Sequence, residues 1–264
     1  MRKVLLIGGI VFVAILAVGF LVTKGPQDVP MPQHEKFEVP EYNEDEDIVR
    51  HLAYTASYNH ETLVPDWVAW RLTQGWACAG DVNNSSYCHE SFSRDPDVME
   101  PKACREDYSH SGWDKGHMAP RADMKWNLKA LEESFYFTNV CPQNHEMNSS
   151  AWRKIEELCR AMAQCSEPVY IVCGPIFTDH RHGTIGKGRV QVPDAFFKAL
   201  AVEVEGKLQT MGFIVDNSSQ SFAPKHYAVT VDSVEHVIGR NLFPRADEAA
   251  EATIDWNFWK RYVY

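Results

Sequence analysis

Residues 4–22 of the chain, VLLIGGIVFVAILAVGFLV, contain no polar side chain, and the remainder must build its fold without them. At about 1.5 Å per helical residue the run spans roughly 29 Å, close to the hydrocarbon thickness of a bilayer. Arg2 and Lys3 place positive charge just before it. Residues 1–24 therefore read as a signal peptide or an uncleaved signal-anchor helix, a segment that meets the membrane. Either form predicts an extracytoplasmic location, membrane-anchored or else secreted or periplasmic.

Residues 25–48, GPQDVPMPQHEKFEVPEYNEDEDI, hold four prolines and eight acids against one lysine, the composition of an extended acidic linker. This stretch carries most of the chain's net charge of −10, so the acidic total does not argue against an anionic ligand further on. Residues 49–264 remain for one domain, and about 200 residues can bury a substantial core without covalent staples. With 45% hydrophobic and 12% aromatic residues, the chain is neither disordered nor fibrous. Seven cysteines in an exported chain predict disulfides with one thiol left over. Their spacings lack the paired C-x-x-C of a zinc site, and Cys78/Cys88 and Cys159/Cys165 are the nearest neighbours.

Hydrophobic periodicity places the elements. Residues 47–73 predict a short helix and a strand with alternating Val68, Trp70 and Leu72. Residues 77–112 read as a long irregular loop, and ESFYFTNV (133–140) as a strand. NSSAWRKIEELCRAMA (148–163) is the clearest helix, with Trp152, Ile155, Cys159 and Met162 at three-to-four spacing. Strand-like runs follow at 168–177, 195–205, 208–216 and 226–233, then a helix at 233–241 with Gly239 near its end. The class is α+β around a mixed or antiparallel sheet.

Within SGWDKGHMAPRADM (111–124), His117 lies between Gly116, which lets backbone approach a ligand, and Pro120, which stiffens the exit. A neutral imidazole is the best side-chain base at ordinary pH. On the helix, Asn148, Trp152, Glu156 and Arg160 recur every four residues and form one slowly turning stripe. Taken singly, such a histidine is usually satisfied by a backbone carbonyl. A Glu156–Arg160 pair taken singly is usually a solvated i,i+4 contact worth a few tenths of a kcal/mol.

Together the segments say more. DKGHMAP (114–120) resembles the D-R-G-H signature of the sugar-non-specific DNA/RNA endonucleases of the ββα-metal superfamily. FYFTNVCPQ (135–143), MNSSAWRKIE (147–156), GPIF (174–177) and VQVPDAFFKAL (190–200) resemble later segments of that family in the same order. The resemblance implies a ββα-metal finger embedded in an antiparallel-sheet nuclease domain. It implies endonucleolytic hydrolysis of DNA and RNA with little sequence preference and Mg²⁺ as cofactor, with Mn²⁺ as a substitute. Homodimers are common in such a family. By position, His117 matches the general base and Asn148 the single protein ligand of a largely hydrated ion. Glu156 matches an acid that holds the ion's hydration shell, and Arg160 a cation that meets the scissile phosphate. Asn139 matches a polar residue beside the base. Lys115 departs from the family's arginine: it keeps the charge without the planar fork, which predicts weaker phosphate contact.

Residues 178–190, with His180, His182 and the cations Arg181, Lys187 and Arg189, read as a flexible basic loop rather than a zinc site. The triplets beginning at Asn83/Asn84, Asn148 and Asn217 match glycosylation sequons by chance on this reading. Two rival functions stand beside the nuclease: a phosphodiesterase for other substrates, and a catalytically inactive nucleic-acid-binding module on the same scaffold.

Overall fold

The computed structural model describes residues 37–82, 91–165, 168–179 and 181–263. The apolar run, the first part of the linker stretch, Cys88 and His180 lie outside these residues. Residues 37–48, read from composition as the end of the linker, are packed. Phe37 lies 4.6 Å from the Tyr170 ring and 5.7 Å from the Phe243 ring, and Glu46 bonds Ser57 and Arg240.

Seven antiparallel strands form the sheet: β1 (Asp47–Arg50), β2 (Thr55–Asn59), β3 (Val64–Leu72), β6 (Val169–Ile176), β9 (Ala195–Val204), β10 (Lys207–Asp216) and β11 (Ala228–Val229), in the order β1-β2-β3-β6-β9-β10-β11. The period of two decides which side chains go where. Val68, Trp70, Ile171, Cys173, Phe196, Lys198 and Phe213 enter one core. Trp67, Ala69, Tyr170, Val172, Phe197 and Ala199 enter the other, beneath the helix Val231–Ile238. β9 turns into β10 through Glu205 and Gly206, both at positive φ, as a two-residue hairpin requires.

The first core is capped by the functional layer. Strands β4 (Asp114–His117) and β5 (Val140–Gln143) pair antiparallel, and the long helix Arg153–Cys165 packs behind them through Ile155, Leu158, Cys159 and Met162. A second small hairpin, β7 (Thr184–Ile185) and β8 (Val190–Gln191), follows β6.

Several sequence expectations are corrected. The short helix predicted within 47–73 is replaced by β1 and β2, whose alternating residues pair edge to edge instead. The strand predicted at 133–140 is the end of the helix Leu128–Glu133 plus a 3₁₀ turn, Phe137–Asn139, and the strand itself begins at Val140. Residues 226–233 divide among the short helix Pro224–Tyr227, β11 and the start of Val231–Ile238. The basic loop is anchored: Gly188 N donates to Asp107 Oδ1 at 2.7 Å, and a Cβ at Gly186 would lie 2.3 Å from Asp107 Cα.

Disulfides are not supported either. Among the described residues, Cys78, Cys104, Cys141, Cys159, Cys165 and Cys173 are all free. Cys159 and Cys165 share one helix, and six residues at about 1.5 Å each put roughly 9 Å between them, too far to bridge.

Candidate active site

The site grows from β4. Gly116 is needed there because a Cβ would lie 2.0 Å from Oε1 of the buried Gln143 across the strand pair. Its role is thus to admit a neighbouring side chain rather than a ligand. One residue later the His117 ring sits against Phe92 at 5.1 Å and edge-on to Phe135 at 5.0 Å, which fixes the imidazole plane. Its carbonyl accepts from Trp152 Nε1 at 3.2 Å.

Trp152 ends a six-residue π-helical segment, Met147–Trp152, from which the α-helix continues. Residues five apart are bonded in such a turn, so the regular four-residue stripe holds only from Trp152 onwards. Asn148 lies inside the π segment, and its Nδ2 donates to Asp114 Oδ2 at 3.0 Å. The same oxygen faces His145 Nδ1 at 2.9 Å. A carboxylate only accepts, so it takes the amide NH₂ and leaves Asn148 Oδ1 to turn away. Asp114 through its carboxylate and His117 through its carbonyl therefore both hold the start of the helix.

Asn139 is wholly buried, and its amide is committed to backbone. Oδ1 accepts from Ala119 N at 2.8 Å, while Nδ2 donates to Ala119 O at 2.8 Å and Ser134 O at 2.9 Å. It holds the chain leaving His117. The Lys115 ammonium lies 5.6 Å over the Phe92 ring, the same ring that touches His117.

Arg160 turns inward, and its Nη1 donates to Oδ1 of the wholly buried Asp123 at 2.9 Å. Asp123 Oδ2 accepts from Trp70 Nε1 at 3.1 Å. Burial raises the Asp123 carboxyl, and Arg160 opposes that rise. Lys198, also wholly buried, donates to Met118 O at 3.4 Å from between the Trp152 and Trp70 rings, 4.3 and 4.8 Å away. Burial pushes Glu156 up to about 7, with Lys198 and Arg160 pulling the other way. The solvated Glu156–Arg160 contact is thus replaced by a cluster in which the part-buried Glu156 and Arg160 lie with buried Asp123 and Lys198.

Sequence reading passed over Asp114, Asp123 and Lys198. A signal existed for Lys198, since one charge in the apolar run AFFKALAV must be partnered if its strand is internal.

Among the described residues no group of three or more His, Cys, Asp or Glu side chains could hold a metal ion. His182 packs edge-on to Trp113 at 5.0 Å. Asn148 offers one neutral oxygen, which suits Mg²⁺ retaining most of its waters and does not suit zinc. Asn217 is 1% exposed and bonds Pro142, Pro193 and Asn144, so its sequon has no room for a glycan.

The model of the DNA/RNA non-specific endonucleases matches residues 31–249. The chain belongs to that family. Mitochondrial nuclease EXOG of Xenopus laevis is 30% identical over 240 residues, 84% of this chain and 66% of its own length. Mitochondrial endonuclease G of Bos taurus is 31% identical over 205 residues, 73% of this chain and 67% of its own. This family member therefore spans slightly less than two thirds of the frog EXOG. A solved EndoG chain, from the EndoG/EndoGI inhibition complex, superposes with a TM-score of 0.75 at 27% identity, covering 84% of this chain and 94% of that one. The expected extracytoplasmic location is overturned by these relatives, both named mitochondrial. Among the described residues, no helix is long and apolar enough to cross a membrane.

Proposed function

We propose that the chain is a metal-dependent endonuclease that hydrolyses phosphodiester bonds of DNA and RNA with little sequence preference. The observation that supports it best is Asp114 holding Asn148 through its NH₂ beside the strand that ends in His117. The Asn148 amide oxygen and the His117 imidazole thus come from two elements joined by the Asn148–Asp114 and Trp152–His117 bonds.

His117, held by Phe92, Phe135 and the Trp152 bond to its carbonyl, takes the proton from the water that attacks phosphorus. A divalent ion, Mg²⁺ on this reading, would be held by Asn148 Oδ1 and supplies Lewis-acid stabilisation of the phosphate. Asn139 keeps the chain beyond His117 in place. Lys115 and the outward donors of Arg160 bring positive charge to the phosphate. Asp123 anchors Arg160, while Lys198 and Arg160 favour the ionised form of Glu156.

Relaxation of supercoiled plasmid with Mg²⁺ tests this reading. The wild-type protein nicks the plasmid and chelation stops it. His117→Ala and Asn148→Ala each lose about 10²- to 10⁴-fold, as expected for removal of a positioned base or its companion. Equal nicking by wild type and His117→Ala would remove the mechanism.

A further inference from the structure

A cavity of about 280 Å³ lies at the far face of the sheet beside Trp67 and Arg240, but a second one, of about 270 Å³, opens next to the metal-ligand helix. This second cavity is lined by Ser218, Gln220, Phe222, His226 and Tyr227, together with Ile214 and Asp216. Phe222 is 45% exposed. Its ring packs against the exposed His226 ring, centroids 4.2 Å apart and planes tilted by 34°, and still faces solvent. The Tyr227 hydroxyl accepts from Phe222 N at 2.9 Å and keeps its own proton to donate.

This ring pair is joined to the candidate site by hydrogen bonds. Ser221, adjacent to Phe222, meets Ser150 Oγ at 2.7 Å, two residues beyond Asn148. At the other end of the same loop, buried Asn217 accepts from Asn144 N at 2.7 Å and donates to Pro142 O at 3.1 Å. The loop is therefore positioned from β5 and from the first turn of the helix.

We infer that this cavity is a nucleobase subsite: the exposed Phe222 ring, backed by His226, stacks one base of the strand whose phosphate lies at Asn148. This rests on the nuclease reading above. Every base has a π face, so stacking accommodates any sequence, and Gln220, Ser218 and Tyr227 offer adaptable polar groups at the rim. A base can reach the Phe222 ring only when unstacked from its neighbours, which makes single strands and frayed ends the favoured substrates over intact duplex.

The test compares binding of a twelve-nucleotide single-stranded DNA with a strand of equal length built from abasic residues, by fluorescence anisotropy with Ca²⁺ in place of Mg²⁺. Plasmid nicking with Mg²⁺ is measured on the same preparation. Wild type should favour the base-bearing strand by about 5- to 100-fold, the range expected for one stacked base. Phe222→Leu, which keeps an apolar side chain without the ring, should lose that preference and bind the abasic strand as wild type does. Phe222→Trp should retain it. Nicking by wild type with equal affinity for the two strands, or a preference that survives Phe222→Leu, overturns the subsite and spares the nuclease. Absence of both nicking and binding overturns the nuclease reading and the subsite with it.

Discussion

Asp114 accepts from Asn148 Nδ2 at 3.0 Å, and that single bond determines which end of the amide is turned outward. Asp114→Ala leaves the amide able to rotate by half a turn and present NH₂ where an oxygen is needed. The expected result is a 10- to 100-fold weaker apparent Mg²⁺ affinity, the usual effect of losing a group that orients a ligand. A Mg²⁺ titration of plasmid nicking measures it, with the rate at saturating metal changing far less. An unmoved midpoint would mean that Asn148 is oriented by something else. Asn148 and His117 could be named from the sequence, because each lies in a short motif. The acceptor that orients Asn148 could not, because 34 residues separate it from its partner.

At the scale of elements, the β4–β5 pair depends on one missing side chain. A Gly116→Ala methyl would lie 2.0 Å from Gln143 Oε1 and 2.1 Å from its Cδ, and buried Gln143 has no open space to swing into. The substitution should lower stability by about 1–3 kcal/mol through overpacking. Urea unfolding reads the loss, and shortening the partner in Gly116→Ala/Gln143→Ala should recover part of it. Additive losses would place the strain elsewhere. Periodicity located β6, β9, β10 and the long helix, each with a buried face long enough to repeat. It failed at 133–140, where an aromatic run of strand-like composition becomes a helix end and a 3₁₀ turn. There Phe135 and Phe137 are spent on the rings of Phe92 and Tyr108, a tertiary demand that local propensity cannot register.

Across the whole molecule, His51 fastens segments far apart in the chain. Its Nε2 meets Asp95 Oδ2 at 2.7 Å and its Nδ1 lies 3.7 Å from Glu133 Oε1, with the imidazole 1% exposed. Glu133 also accepts from Leu52 N at 2.8 Å, and Asp95 from Thr138 Oγ1, next to Asn139. Burial alone would lower the His51 pKa, but its bonds to Asp95 and Glu133 outweigh that and raise it to about 9. A raised pKa means the native state binds the proton more tightly than the unfolded chain. The stabilisation is therefore complete below the unfolded value near 6.5 and disappears as pH rises through about 9. His51→Gln should cost about 3 kcal/mol at pH 6 and little at pH 10, from the conversion of pKa shift to free energy. Urea midpoints at both pH values test this. A loss of equal size at both would assign His51 to packing rather than charge.

The sequence alone determined the α+β class, the strong strands and helix, and the order of motifs carrying His117, Asn148, Glu156 and Arg160, because these are written in local periods and short spacings. Tertiary structure decided which charges are buried and what they face. Arg160 meets Asp123 across 37 residues, and Lys198 meets Met118 across 80. It also decided that the described cysteines are thiols and that residues 37–48 pack against the sheet. A contact between distant residues leaves no periodic trace in either segment, so only the folded chain reveals it.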